Sequence, residues 1–114
     1  MKKQKKSQEH SSAKNRILVD FDGVIHKYSK RYKDGDIYDI PTEGAVQGIN
    51  NLLEDGYEVV IFTARPNTKD IPKWLKRWGI PQLKITDRKI AALAYIDDRG
   101  IRFTNWRDIL NYFT

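Results

Sequence analysis

Two carboxylates one residue apart, Asp20-Phe21-Asp22, close an apolar run and are followed at once by Gly23. Similar polar endings recur downstream. Tyr57 to Phe62 runs into Thr63-Ala64-Arg65, and Ala94-Tyr95-Ile96 runs into Asp97-Asp98-Arg99. Four carboxylates brought together repel one another unless a cation sits among them. With no cysteine and no well-placed histidine, the oxygen ligands Asp20, Asp22, Asp97 and Asp98 favour a hard ion, and Mg²⁺ is the natural choice. Mg²⁺ keeps waters and completes its shell with a substrate phosphate oxygen. The Thr63 hydroxyl, the Ala64-Arg65 segment with its guanidinium, and a nearby lysine suit the other phosphate oxygens. The cluster implies phosphoryl transfer, in which positioning and charge neutralisation carry the catalysis.

Within that chemistry the first two acids have different tasks. Asp20, at the strand end, can attack phosphorus and form an aspartyl-phosphate. Asp22 can protonate the leaving alcohol and afterwards deprotonate the hydrolytic water. Gly23 lets the chain turn sharply without a Cβ in the way of a ligand. Each motif alone has a plainer meaning: Asp22-Gly23 and Asp97-Asp98-Arg99-Gly100 are turn signals, and Thr63 is an ordinary strand-end hydroxyl. Their occurrence together favours chemistry.

Positioning these residues requires strands whose carboxyl ends meet. Ile17 to Phe21, Tyr57 to Thr63, Leu83 to Thr86 and Ala94 to Asp97 read as strands, and Ile101 to Thr104 as a further edge strand. Residues 43–55 place Val46, Ile49, Leu52 and Leu53 on one helical face, with Gly56 as the stop. Residues 68–78 align Ile71, Trp74, Leu75 and Trp78 in the same way, so both tryptophans belong to the core rather than to a stacking platform. Trp106, Ile109, Leu110 and Phe113 predict a final helix. Residues 24–41 are rich in charge, tyrosine and turn formers, and predict a hairpin or flap that includes His26, for which no metal role is expected. Alternation of strands and helices predicts an α/β fold, with a parallel sheet, right-handed crossovers and helices on both faces. Ligands of such sheets bind outside the carboxyl ends of the strands.

The four motifs in order resemble the haloacid dehalogenase superfamily of phosphohydrolases, over residues 16 to 106. Asp20-Phe21-Asp22-Gly23, Thr63, Lys89 and Asp97-Asp98 stand where that family has its signature residues. The resemblance implies a three-layer Rossmann-like domain. It also implies Asp20 as nucleophile and metal ligand, and Asp22 as acid/base lending the metal its backbone carbonyl. Thr63 and Lys89 would hold the phosphoryl group, with Lys84 a less well-spaced competitor. One of the paired acids would touch Mg²⁺ directly, Asp98 by alignment, and the other would support it. Ile90 departs from the family, whose small members often have proline there. The gaps between motifs leave no room for a cap domain. Receiver domains share the residue types but place the acidic pair first and the acceptor aspartate later, so the order here favours the hydrolase.

Length and composition set the outer bounds. The chain has 114 residues with 39% hydrophobic content, enough for one compact domain. There are no cysteines, which excludes disulfides and thiol chemistry. Its formal net charge of +6 is concentrated in residues 1–15, where five lysines stand against Glu9. We read 1–15 as a basic flexible tail and 16–114 as the domain. No apolar run suits a membrane span or a secretory signal, so a cytoplasmic location is expected. The expected substrate is a small phosphorylated metabolite or nucleotide, or a phosphorylated nucleic-acid end. The alternative is a non-catalytic phosphate-binding or interaction module that keeps the fold.

Overall fold

The computed structural model describes residues 13–31, 35–97 and 103–113. Asp98, Arg99, residues 1–12 of the basic segment and Ile101-Arg102 lie outside the described residues. Four strands, β1 (Arg16–Asp20), β2 (Glu58–Phe62), β3 (Lys84–Thr86) and β4 (Ala94–Ile96), form one sheet in the order β3-β2-β1-β4. All three pairings are parallel. The described helices are α1 (Ala45–Glu54), α2 (Asp70–Arg77) and α3 (Trp106–Tyr112). The sequence signals explain them. β1 is apolar because it is flanked on both sides, with Ile17, Leu18 and Val19 fully buried. Pro72 falls in the first turn of α2, where its missing N–H costs no helical bond. Asn105 caps α3, its side chain accepting the Asp108 N–H at 2.9 Å.

Strand periodicity divides the sheet into two faces. Ile17, Val19, Val59, Ile61 and Ile96 join Ile49 and Leu52 of α1, Ile71, Trp74 and Leu75 of α2, and Trp106 and Ile109 of α3 in one core. Leu18 and Val60, in register with each other, are buried on the opposite face, outside that core cluster. Segment 87–93 is tied to that side. Arg16 donates to the Ala91 carbonyl, Leu93 N–H donates to the Arg16 carbonyl, and the Tyr95 hydroxyl donates to the Ile90 carbonyl. Helices were expected on both faces. Those described all feed one core, and the connection from β3 to β4 crosses as irregular chain.

That connection also reverses the direction of winding. From β1 the chain steps outward to β2 and β3, then returns past both to place β4 on the far side of β1. The carboxyl ends of β1 and β4 therefore flank the point where the strand order reverses, the usual crevice for a ligand. The anticipated 101–104 strand is not formed by its described part: Phe103 and Thr104 lie in no strand. Segment 24–41 folds back through isolated bridges of His26 to Asp22 and Pro41 rather than through a strand pair.

Candidate functional site

Register brings the strand endings together. Asp20 pairs with Phe62, so Thr63 is the first residue beyond its neighbour on β2. On the other side Val19 pairs with Ile96, which sets Asp97 next to Asp20. Neighbouring strands run about 4.8 Å apart, so the three positions share one edge of the sheet. Thr63 is buried; its N–H donates to the Thr86 carbonyl at 3.0 Å, and its hydroxyl accepts the Arg65 N–H at 3.1 Å. Asp97 is buried and forms an ion pair with the Lys89 ammonium. Lys89 reaches it from the 87–93 segment, lying over the rings of Phe62 and Tyr95 with its nitrogen 4.5 and 5.3 Å from their centroids. Register thus puts Asp20, Thr63 and Asp97 on one edge of the sheet, with Lys89 paired to Asp97. Lys84, the competing lysine, points its exposed side chain from β3.

Asp22 has a different environment. Gly23 adopts φ 88°, a left-handed conformation that suits glycine, and its N–H donates to the His26 carbonyl at 2.7 Å. The N–H groups of Ile25 and His26 both turn back to the Phe21 carbonyl at 2.9 Å. This tight return brings His26, fully buried, beneath Asp22. His26 Nδ1 lies 2.8 Å from Asp22 Oδ1, while Nε2 accepts the Asp39 N–H at 3.0 Å. The accepting role of Nε2 puts the ring proton on Nδ1, which donates to the carboxylate.

Arg65 grips the same carboxylate from above, Nε to Oδ2 and Nη2 to Oδ1, both at 2.9 Å. Its remaining donors reach the carbonyls of Gly35 and Asp36 in the flap. Phe21 and Tyr28 present their rings to the guanidinium at 5.8 and 6.0 Å. Burial pushes the Asp22 carboxyl up, but the hydrogen bonds from His26 and Arg65 and the Arg65 charge outweigh it and hold the group below its ordinary value. Arg65 was expected among the phosphate ligands; here it joins the acid to the flap.

The flap has its own framework. Lys27 N–H donates to the Ile40 carbonyl at 2.9 Å and Thr42 N–H to the Ile25 carbonyl at 2.8 Å. The Asp39 carboxylate accepts the hydroxyl and N–H of Ser29 and the N–H of Ile40, which lowers its carboxyl to about 2. Between flap and sheet edge lies a cavity of about 300 Å³, bounded by Asp22, Tyr28, Gly35, Ala64, Arg65 and Asn67. Ala64 contributes a wall, and its small side chain leaves the space open.

For a cation, the described donors are hard oxygens: the carboxylates of Asp20 and Asp97 on adjacent strand ends, and the Asp22 main-chain carbonyl. This chemistry fits Mg²⁺. The Asp22 carboxylate is engaged by Arg65 and His26; a backbone contribution to such a site is what the family resemblance implies. Among the described residues no group of three or more His, Cys, Asp or Glu side chains converges as a metal-binding set. Asp98, the other anticipated ligand, is outside them.

Two features escaped the sequence. One is the contact of His26 with Asp22; the available signal was a histidine four residues after an aspartate, set in an apolar stretch just beyond a glycine turn. The other is the Asp22–Arg65 pair, which joins residues 43 positions apart and has no local signature. No protein-family model, curated protein or solved structure matches the chain.

Proposed function

We propose that the chain is a capless, Mg²⁺-dependent phosphohydrolase of haloacid dehalogenase type, with a Rossmann-like domain, acting on phosphate monoesters. The observation that carries this reading is the register of β1 with β4 and β2, which sets Asp20 beside Asp97 and Thr63 at the strand-order reversal. The Asp20 carboxylate attacks phosphorus and forms the acyl-phosphate bond as the ester P–O bond breaks. The leaving alkoxide takes a proton from Asp22. Water then attacks the aspartyl-phosphate, gives its proton to Asp22, and releases inorganic phosphate and free Asp20. Thr63 and Lys89 hold the transferring group. Mg²⁺, when bound, neutralises charge on the phosphoryl oxygens and the attacking carboxylate.

Arg65 links binding to acid strength. While it grips Asp22 the carboxyl stays ionised. An incoming phosphate dianion competes for the guanidinium, and transfer of Arg65 to that phosphate removes its hydrogen bonds and charge from Asp22, which moves the carboxyl toward its protonated form while the His26 contact remains. The acid thus holds its proton more readily when a leaving group is present to receive it. The 300 Å³ cavity beside Asp22 accommodates that leaving group, of a small metabolite, a nucleotide or a nucleic-acid end. A chain without cysteine suits a reducing cytoplasm, where we place it.

A generic aryl phosphate with Mg²⁺, assayed beside Asp20→Asn, tests the proposal. Turnover in the parent and none in the variant is expected, and chelation of the metal abolishes it. Equal rates overturn the nucleophile. No turnover across a broad panel of phosphate esters overturns the hydrolase in favour of a phosphate-binding module.

A further inference from the structure

His26 is fully buried, and both of its ring nitrogens are engaged. Its ring stacks on Phe21 with centroids 5.5 Å apart and planes 22° from parallel. Trp74 and Tyr38 close on it edge-on at 5.5 and 5.4 Å, and Tyr28 lies at 5.7 Å. Packed rings of this kind leave the imidazole little freedom to rotate, so the position of Nδ1 is set by the core rather than by solvent. The Asp39 N–H selects the tautomer from the other end of the ring.

We propose that His26 is a positioning residue that aims the Asp22 carboxylate; this rests on the phosphohydrolase proposal. In the closed arrangement Asp22 is held from two sides. When Arg65 transfers to substrate phosphate, the acid keeps the Nδ1–H contact, so one carboxylate oxygen stays fixed while the other faces the leaving group. Buried His26 holds its place as the more exposed Asp22 changes partners, with relative side-chain exposures of 0% and 24%. The Asp39 N–H makes this orientation depend on the flap root being closed. His26 touches neither the phosphoryl group nor the leaving group, and acts through Asp22.

The competing role is purely structural, a staple that joins strand end to flap through the Asp39 N–H. Two substitutions separate them. His26→Asn keeps an N–H donor near the Nδ1 position and loses the contact to Asp39. His26→Gln places its polar atoms near Nε2 and loses the contact to Asp22. On an aryl phosphate with Mg²⁺, kcat of the Asn variant is expected at least about tenfold above that of the Gln variant. KM stays comparable, because misplacing a reacting group by about 1 Å costs on the order of 10²-fold in rate. Equal kcat values, or a Gln variant ahead of the Asn variant, overturn the proposal while leaving the hydrolase intact. An inactive parent protein overturns the hydrolase, and the positioning role with it. If both variants fail to fold, the parent decides: long-range ¹H–¹⁵N correlation of the His26 imidazole is expected to show Nδ1 protonated and Nε2 bare. The opposite tautomer overturns the proposal.

Discussion

Arg65 and Asp22 are linked by a fork that a lysine cannot reproduce. The guanidinium makes two bonds to the carboxylate and spends its other donors on flap carbonyls. Arg65→Lys keeps the charge but loses the planar, bidentate grip, so kcat/KM for an aryl phosphate is expected to fall about tenfold or more, with KM rising. Steady-state kinetics of the single variant checks this; unchanged parameters would remove Arg65 from the proposed exchange between acid and substrate. Asp39 gives a separate test through pH. Hydrogen bonds from Ser29 and Ile40 lower its folded value from 3.8 to about 2, and Asp22 is lowered in the same direction. A carboxyl depressed on folding stabilises the fold above its unfolded value and loses that contribution as pH falls toward its folded value. Hydrogen-exchange protection of the Ser29 and Ile40 amides is therefore expected to hold above about pH 5 and to decline from about pH 4 to about pH 2. Protection that declines instead above pH 5 would contradict the assignment.

At the scale of elements, the helix α1 contains a glycine in its interior where alanine would normally serve better. The reason is a close approach. A Cβ at Gly48 would lie 2.4 Å from Cε3 of Trp106 and 2.9 Å from Cδ2. Trp106 cannot retreat easily, being buried and donating its indole N–H to the Val24 carbonyl at 3.2 Å. Gly48→Ala is expected to destabilise the protein by about 1–3 kcal/mol, despite the better helix propensity of alanine. Asn105→Ala removes the α3 cap and is expected to cost about 1 kcal/mol. Urea unfolding monitored by tryptophan fluorescence reads both, and a stabilised Gly48→Ala would show that α1 and α3 are not packed this closely. The helix over 43–55 was legible from periodicity and begins at Ala45, after Gly44 turns through φ 83°. The helix over 68–78 holds from Asp70 to Arg77. The flap was less legible, because its apolar and turn residues fit a hairpin as well as they fit the bridges observed. Partner choice there depends on chain distant in sequence.

For the molecule as a whole, the candidate site lies at the carboxyl edge of a parallel sheet, beside a flap. No helix among the described residues is long and apolar enough to cross a membrane. The basic tail read as 1–15 gives up its last residues to the domain: Ala13–Asn15 form a helical turn, and the Asn15 side chain donates to the Gly56 carbonyl at 3.0 Å. A deletion that tests the tail should therefore stop at residue 12. Removal of residues 1–12 is expected to leave aryl-phosphate kinetics unchanged. If a phosphorylated nucleic-acid end is the substrate and the lysines contact it, the deletion raises KM for that oligonucleotide and flattens its dependence on salt. Unchanged affinity and salt slope would exclude the tail from substrate binding.

The sequence by itself determined which residue types end each strand and how the apolar faces repeat, because these are local properties set by side-chain period and turn chemistry. From them the strand-end residues Asp20, Thr63 and Asp97 were readable as one set before any coordinates, whereas Lys89 entered through the family resemblance. Only the tertiary structure decided how Asp22 is held. Its carboxylate depends on a glycine turn that swings His26 beneath it and on a flap that brings backbone carbonyls to Arg65. Those contacts span four residues in one case and thirty or more in the other. No repeat or spacing encodes which of two nearby carboxylates a guanidinium will choose. That choice follows from burial, ring packing and the orientation of backbone dipoles, which exist once the chain has closed on itself.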